Sequence, residues 1–247
     1  MEVLYDKPKT LYQGSMPYCP GCGHGVVHRL ICEVVDELDI RDKTIAIAPV
    51  GCAVCAYNYW DFDVSEAAHG RAAAVATGIK RVHPDKVVIS YQGDGDLASI
   101  GMAETIHAAN RGENISVIFI NNANYGMTGG QMAPTTLLNQ VTTTTPDGRK
   151  ANHDGNPIAM AELISQLKSV KYCVRTTTAD IKGIRQTKKA INKAINMQLN
   201  GGGYSFIEIL SNCNINWKMN PQEANNYILD TMINFFPLGE LRDNSKI

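Results

Sequence analysis

Two apolar runs stand out in the hydrophobic pattern, Val87-Val88-Ile89-Ser90-Tyr91 and Ser116-Val117-Ile118-Phe119-Ile120. Both are short, β-branched and nearly continuous, as strands buried on both faces of a parallel sheet are. Ala98 to Arg111 lies between them with helical spacing, so the unit is strand, loop, helix, strand. The alternation extends to either side. Gly25 to Leu38 gathers Val27, Leu30, Ile31, Val34, Val35 and Leu38 on one side of a helix. Thr44 to Ala48 predicts a strand and Ala67 to Val82 an alanine-rich helix. Leu163 to Val170, Lys171 to Thr176, Ile181 to Leu199 and Tyr204 to Leu210 continue the pattern, and Asn220 onward predicts a last helix with a short tail. Such alternation argues for a three-layer α/β/α fold around a mostly parallel sheet. One domain is expected over residues 18–238, after a polar, proline-marked arm (1–17) that lies on a partner, and before a tail (239–247).

The pattern lapses from Thr128 to Pro157, which is rich in Thr, Gly and Pro and includes Thr142-Thr143-Thr144-Thr145-Pro146. A structureless segment of this length inside a domain is usually functional or covers a partner. Composition adds mainly exclusions. A hydrophobic fraction of 44% supplies a core, and a net charge of −1 without a basic tract argues against nucleic acid as a partner. The start, Met1-Glu2-Val3-Leu4-Tyr5-Asp6, has neither the basic nor the apolar region of a signal peptide. The most apolar stretch, Ile45 to Tyr57, is broken by Pro49 and Gly51 and is too short to span a bilayer. A soluble, cytoplasmic chain with no membrane partner is expected.

Chemistry collects at the strand ends. The first run leads into Gly93-Asp94-Gly95-Asp96, and Asn121-Asn122 follows after a further 25 residues beyond Gly95. Neighbouring parallel strands deliver their C-terminal ends to one edge, where ligands bind, so Asp94 and Asn122 are expected to meet. A carboxylate and an amide oxygen converging at a glycine turn suit a small hard cation such as Mg²⁺. Gly95 allows a close backbone approach to phosphate, and the next helix N-terminus favours negative charge. The pattern therefore asks for a diphosphate held through magnesium.

Seven cysteines, an odd count, are not a disulfide framework, and metal binding or catalysis is the better reading. Cys19-Pro20-Gly21-Cys22 and Cys52-Ala53-Val54-Cys55 are two C-x2-C pairs with 29 residues between them. That gap exceeds the roughly 15–20 of a zinc ribbon. Spacing alone leaves structural zinc and a four-cysteine iron–sulfur cluster equally open. Cys32 and Cys173 fall on a helix and a strand and suit buried hydrophobic roles. His69, in Ala68-His69-Gly70-Arg71, sits at the start of a predicted helix and can donate to a phosphate. His24, His28, His83, His107 and His153 lack such a context and are expected on the surface or in packing.

Taken in order, Cys19-Pro20-Gly21-Cys22-Gly23-His24-Gly25, Pro49-Val50-Gly51-Cys52-Ala53, Ala68-His69-Gly70-Arg71, Gln92-Gly93-Asp94-Gly95-Asp96 and Asn121-Asn122-Ala123-Asn124-Tyr125-Gly126-Met127-Thr128-Gly129-Gly130-Gln131 resemble the β subunit of the 2-oxoacid:ferredoxin oxidoreductases. Within that family the likeness is to the branched-chain type, which uses 2-ketoisovalerate, and it runs from about Tyr18 to Leu238. The resemblance implies thiamine diphosphate, with Mg²⁺ on Asp94, the Asn122 side chain and the Asn124 carbonyl. It implies cofactor contacts at Val50, Gly51, Cys52, Ala53 and His69, at Gly95 and Asp96 against the diphosphate, and at Gly126 and Met127 in the next turn. It also implies a [4Fe–4S] cluster on Cys19, Cys22, Cys52 and Cys213, with Cys55 as the rival fourth ligand. Asn214 stands where the family usually has proline after that last cysteine. The implied reaction is CoA-dependent oxidative decarboxylation of a 2-oxoacid to acyl-CoA, with ferredoxin reduced.

The glutamate that thiamine enzymes place on the pyrimidine ring has no candidate here, and Glu104 is expected on an exposed helix face. In the family it comes from the α subunit, so that subunit is an implied obligate partner, with γ and δ subunits possible. Pyruvate or 2-oxoglutarate as substrate, a non-redox thiamine decarboxylase or carboligase half with structural zinc, and a non-enzymatic nucleotide-binding module remain open alternatives.

Overall fold

The computed structural model describes residues 6–244. Its centre is a seven-stranded sheet in the order β2-β1-β3-β4-β6-β5-β7. The strands are β1 (Thr44–Pro49), β2 (Asp63–Ala67), β3 (Val87–Gly93), β4 (Ser116–Asn121), β5 (Val170–Thr177), β6 (Tyr204–Leu210) and β7 (Gly239–Asp243). All neighbours run parallel except β7, which pairs antiparallel with β5. The central strands β3, β4 and β6 carry almost unbroken buried runs, because helices cover both faces.

Period-two alternation assigns each residue to a face. Ile89, Tyr91, Ile118, Ile120, Ile207 and Ile209 join one core. Val88, Val117, Phe119, Tyr204 and Phe206 join the other. Against the first face pack α1 (Gly23–Glu37) and, further along the chain, the helix Ile181–Leu199. Against the second pack α2 (Ala72–Val82), α3 (Met102–Arg111) and the helix Met160–Ser165. With the short turn Ala151–Asp154 as α4, those two later helices are α6 and α5. The expected three-layer fold is therefore present. A third apolar group, Ala123, Leu137, Leu210, Ile228, Met232 and Phe236, closes the C-terminal edge of the sheet.

Several boundaries differ from expectation. Asp63–Ala67 is an edge strand rather than loop, and α2 begins only at Ala72, so His69 lies in the turn before the helix. The alternation Asp-Val-Ser-Glu-Ala is half exposed, which is what an edge strand permits. The expected tail contains β7, which continues the sheet beyond β5. After the single turn α7 (Asn214–Trp217), the helix from Asn220 starts as expected, with a capping box between Asn220 and Glu223 and Pro221 in its first turn, but it proceeds as α8 (Pro221–Tyr227) into a widened turn. The described part of the arm packs on the chain itself, with Thr10 and Leu11 buried and Leu11 bridged to Trp60; residues 1–5 lie outside the described residues.

The Thr-rich segment carries its own order. The Arg149 guanidinium, 3% exposed, donates to the carbonyls of Pro134, Thr136, Gly155 and Asn156 at 2.6–2.9 Å. One buried cation thus satisfies backbone oxygens that a loop would otherwise leave unpaired.

Candidate functional site

Four adjacent strands, β1, β3, β4 and β6, point their C-terminal ends at one edge, and each ends in a residue singled out by the sequence. Cys52 follows β1, Asp94 follows β3, Asn122 follows β4 and Cys213 follows β6. Cys19 and Cys22 join them from the N-terminus of α1. A cavity of about 90 Å³ is lined by Val50 to Ala53, His69, Gly93 to Asp96, Asn122, Asn124 to Thr128 and His24. Every expected cofactor and magnesium residue lies on it. A larger cleft of about 580 Å³ lies elsewhere, along β5, α6 and β7, and holds none of these residues.

At one end of the cavity Asp94, Asn122 and the Asn124 carbonyl meet. The Asn122 amide sets one terminal atom 2.8 Å from the Asn124 carbonyl oxygen and 3.2 Å from Asp94 Oδ1. As nitrogen it would donate to both; as oxygen it makes three oxygens converge with no donor between them. Octahedral Mg²⁺ at 2.0–2.1 Å sets adjacent ligand oxygens about 2.9 Å apart, so the spacing fits a cation. Asn124 Oδ1 is itself buried without a partner. Thr135 donates to Asp94 Oδ2 at 2.6 Å and the Gly95 amide to Asp94 Oδ1 at 2.9 Å. Burial pushes the Asp94 carboxyl up to about 7 despite these donors. A buried carboxylate of this kind is one that a cation would stabilise.

Backbone shape aims the Asn124 carbonyl. Ala123 is left-handed at φ +55°. Asn121 Oδ1 accepts from the Ala123 amide at 3.2 Å, and Thr136 donates to the Ala123 carbonyl at 2.6 Å. Asn121 is held in turn by Glu208, 2.7 Å away. At Gly95 a Cβ would sit 2.4 Å from the Tyr125 ring, so glycine is required here by that ring as much as by any ligand.

The thiols flank the same loop. A Cβ at Gly126 would lie 3.4 Å from Cys52 Sγ and 3.5 Å from Cys213 Sγ. The Asn216 amide donates to both the Gly126 carbonyl (2.7 Å) and Cys213 Sγ (3.3 Å). Burial, reinforced by neighbouring thiols, pushes Cys22 and Cys52 up to about 12. Among the described residues no three His, Cys, Asp or Glu side chains converge tightly enough to hold one metal ion. Cys32 and Cys173 are buried in α1 and β5, as expected of packing cysteines.

The residue the sequence reading passed over is His24. It is 1% exposed, lines the cavity, and bonds Tyr91 through Nδ1 at 2.5 Å while stacking on Tyr18. Burial pushes it down to about 4, so it stands there as a neutral ring. Its place in Cys19-Pro20-Gly21-Cys22-Gly23-His24 was the available signal, since a residue two positions from a candidate ligand shares its surroundings. Glu104 is only partly exposed and pairs with Arg71, away from the cavity.

Residues 50–209 match the model of the thiamine pyrophosphate enzyme, C-terminal TPP binding domain. Across 97% of its length the chain is 49% identical to ketoisovalerate oxidoreductase subunit VorA of Methanothermobacter thermautotrophicus, and covers 52% of that protein. It is 39% identical to 2-oxoglutarate synthase subunit KorB of Methanocaldococcus jannaschii, over 83% of this chain and 73% of that one. A solved 2-oxoglutarate:ferredoxin oxidoreductase from Magnetococcus marinus, with 2-oxoglutarate, coenzyme A and succinyl-CoA bound, superposes with a TM-score of 0.80 at 25% identity, over 98% of this chain and 86% of that one. The chain spans about half the length of the VorA proteins it matches. Among the described residues no helix is long and apolar enough to cross a membrane. On the matched domain and on the identity shared with KorB, the chain belongs to the thiamine pyrophosphate enzymes, in the family of 2-oxoacid oxidoreductase subunits that carry their TPP-binding domain.

Proposed function

We propose that this chain is the thiamine-binding β subunit of a 2-oxoacid:ferredoxin oxidoreductase, and that its substrate is a branched-chain 2-oxoacid such as 2-ketoisovalerate. The observation that carries the reading is one sheet edge where Asp94, the Asn122 amide and the Asn124 carbonyl meet beside the Cys52 and Cys213 thiols. Asp94, Asn122 and the Asn124 carbonyl would hold Mg²⁺; Val50 to Ala53, His69, the Gly95–Asp96 turn, Gly126 and Met127 would hold thiamine diphosphate. Cys19, Cys22, Cys52 and Cys213 would hold a [4Fe–4S] cluster, and the joint contact of Cys52 and Cys213 with Gly126 favours Cys213 over Cys55. The identity to the ketoisovalerate subunit, 49% against 39% for the 2-oxoglutarate one, supports the branched-chain choice.

When bound, thiamine diphosphate supplies a C2 carbanion for attack on the keto carbon and takes up the electrons released with CO₂, and the cluster supplies a one-electron outlet. The chain's own residues bind and orient. Asp94 would hold the Mg²⁺ that offsets diphosphate charge, the helix N-terminus at Asp96 favours the same anion, and Val50 and Met127 add apolar surface to the cavity wall. The net reaction would convert a 2-oxoacid and coenzyme A to acyl-CoA and CO₂ while ferredoxin takes two electrons. The cavity encloses far less than the roughly 300–1,000 Å³ of a usual ligand cleft, which supports an α subunit as its missing wall and as the source of the activating glutamate.

The test is metal and sulfide analysis of anaerobically purified protein, followed by a panel of 2-oxoacids with partner subunits present. About four irons and four sulfides per chain, and Mg²⁺-dependent thiamine diphosphate binding lost in Asp94→Ala, are expected. One zinc without sulfide would instead leave a non-redox thiamine decarboxylase or carboligase half. Preference for pyruvate or 2-oxoglutarate in the panel would overturn the substrate choice alone.

A further inference from the structure

We infer that Asp96 is the positioning residue of His69, holding its ring toward the diphosphate, and that the Asp96 carboxylate does not itself face the diphosphate. The inference rests on the thiamine reading above.

Both oxygens of Asp96 are occupied away from any ligand. Oδ1 accepts from His69 Nδ1 at 2.5 Å and from the Gly70 amide at 2.6 Å. Oδ2 accepts from Gln92 Nε2 at 2.6 Å, and Gln92 Oε1 accepts from Ser90 at 2.8 Å. The carboxylate is 3% exposed. An ionised carboxylate turned toward a diphosphate would repel it; here only the main chain of the turn is left for that contact.

The loop bearing His69 is clamped to the turn bearing Asp96. Gly70 is left-handed at φ +77°, and a Cβ there would meet the Gly101 amide at 2.8 Å, while one at Gly101 would meet the Gly70 carbonyl at 2.7 Å. No side chain fits between the two segments, so they are locked at backbone contact. With Nδ1 donating to Asp96, the ring orientation is set by that bond, as a second-layer carboxylate commonly sets a histidine. Nε2 has no partner among the described residues, and the residue lines the cavity with Tyr125 beside it. A phosphate oxygen placed at Nε2 would meet a ring whose orientation the Asp96 bond has already fixed.

The test is a double-mutant cycle read as binding: titration of thiamine diphosphate with Mg²⁺ into the full chain in its native assembly. It uses the parent, His69→Ala, Asp96→Asn and the double variant, with ligand-free melting temperatures to confirm folding. Asp96→Asn keeps an acceptor for His69 and Gly70, and Gln92 can turn its amide to match, so the fold survives. Replacing a charge-assisted hydrogen bond by a neutral one is expected to weaken binding about 3–10-fold. The same substitution on the His69→Ala background is expected to cost nothing further. Tighter binding by Asp96→Asn would mean that the carboxylate had been repelling the diphosphate, and would overturn the inference. So would a loss that persists in full without His69. If the parent itself fails to bind, the thiamine reading falls, and this inference with it.

Discussion

Thr135 shows how a single hydroxyl can brace the proposed magnesium site. It sits in a loop that reads as low-complexity sequence, yet its side chain is fully buried and holds Asp94 Oδ2 at 2.6 Å. Replacing it by valine removes a bond to a charged acceptor, and Mg²⁺ affinity at saturating thiamine diphosphate is expected to fall about tenfold or more. A magnesium titration followed by protein fluorescence measures it, and unchanged affinity would show that Asp94 needs no such brace. The thiols give a second residue-scale expectation. Cys213→Ser is expected to lose most of the bound iron, whereas Cys55→Ser keeps about four irons per chain. Retention in the first and loss in the second would exchange their roles. That Asp94 and Asn122 meet at one sheet edge was legible because strand ends and spacing are local signals; Asn124 came from the resemblance. Thr135, Tyr125 and His24 were not, because their contacts to Asp94, Gly95 and Tyr91 depend on how distant turns pack.

Elements with strong periodicity were legible to the residue: Ile181–Leu199 and Tyr204–Leu210 stand where the pattern set them. The two strands that the pattern missed lie at the sheet edges, while the helix expected over Leu163 to Val170 is shifted to Met160–Ser165. β2 and β7 carry charged residues on exposed positions, so the hydrophobic signal that marks a strand is halved. That error moved His69 onto a helix it does not join, and it hid the link between His69 and Asp96. Between β5 and β6 an unusual tie was also invisible. Arg175, fully buried, pairs with buried Glu208 at 2.9 Å and with Glu162, and Glu208 in turn holds Asn121 at the end of β4. Arg175→Ala would leave a buried carboxylate uncompensated, and a loss of about 3–5 kcal/mol in unfolding free energy is expected. Urea denaturation measures it. A loss below about 1 kcal/mol would mean that water replaces the guanidinium without cost.

At the scale of the whole molecule, the proposed α subunit would supply the other side of the site. Val50 and Met127, on the cavity wall, are 40% and 49% exposed, and Val141 in the Thr-rich loop is 65% exposed. Val50 and Met127 line the cavity, whereas Val141 lies with Leu138 and Trp217 around a separate groove; exposed apolar side chains of this kind are the usual mark of a surface that another protein covers. The loop is already ordered by Arg149, so docking there would cost little of the entropy that closing a free segment demands. Val141→Asp places a charge on that surface without touching the cavity. It is expected to weaken assembly with the α subunit at least tenfold, while thiamine diphosphate binding to the chain changes by less than about twofold. Sedimentation of the mixed subunits, beside a binding titration, separates the two effects. If assembly persists unchanged, the partner meets the mouth through Val50 and Met127 alone. If thiamine binding falls together with assembly, the cofactor is held between the two subunits, and the cavity takes its final shape only when they join.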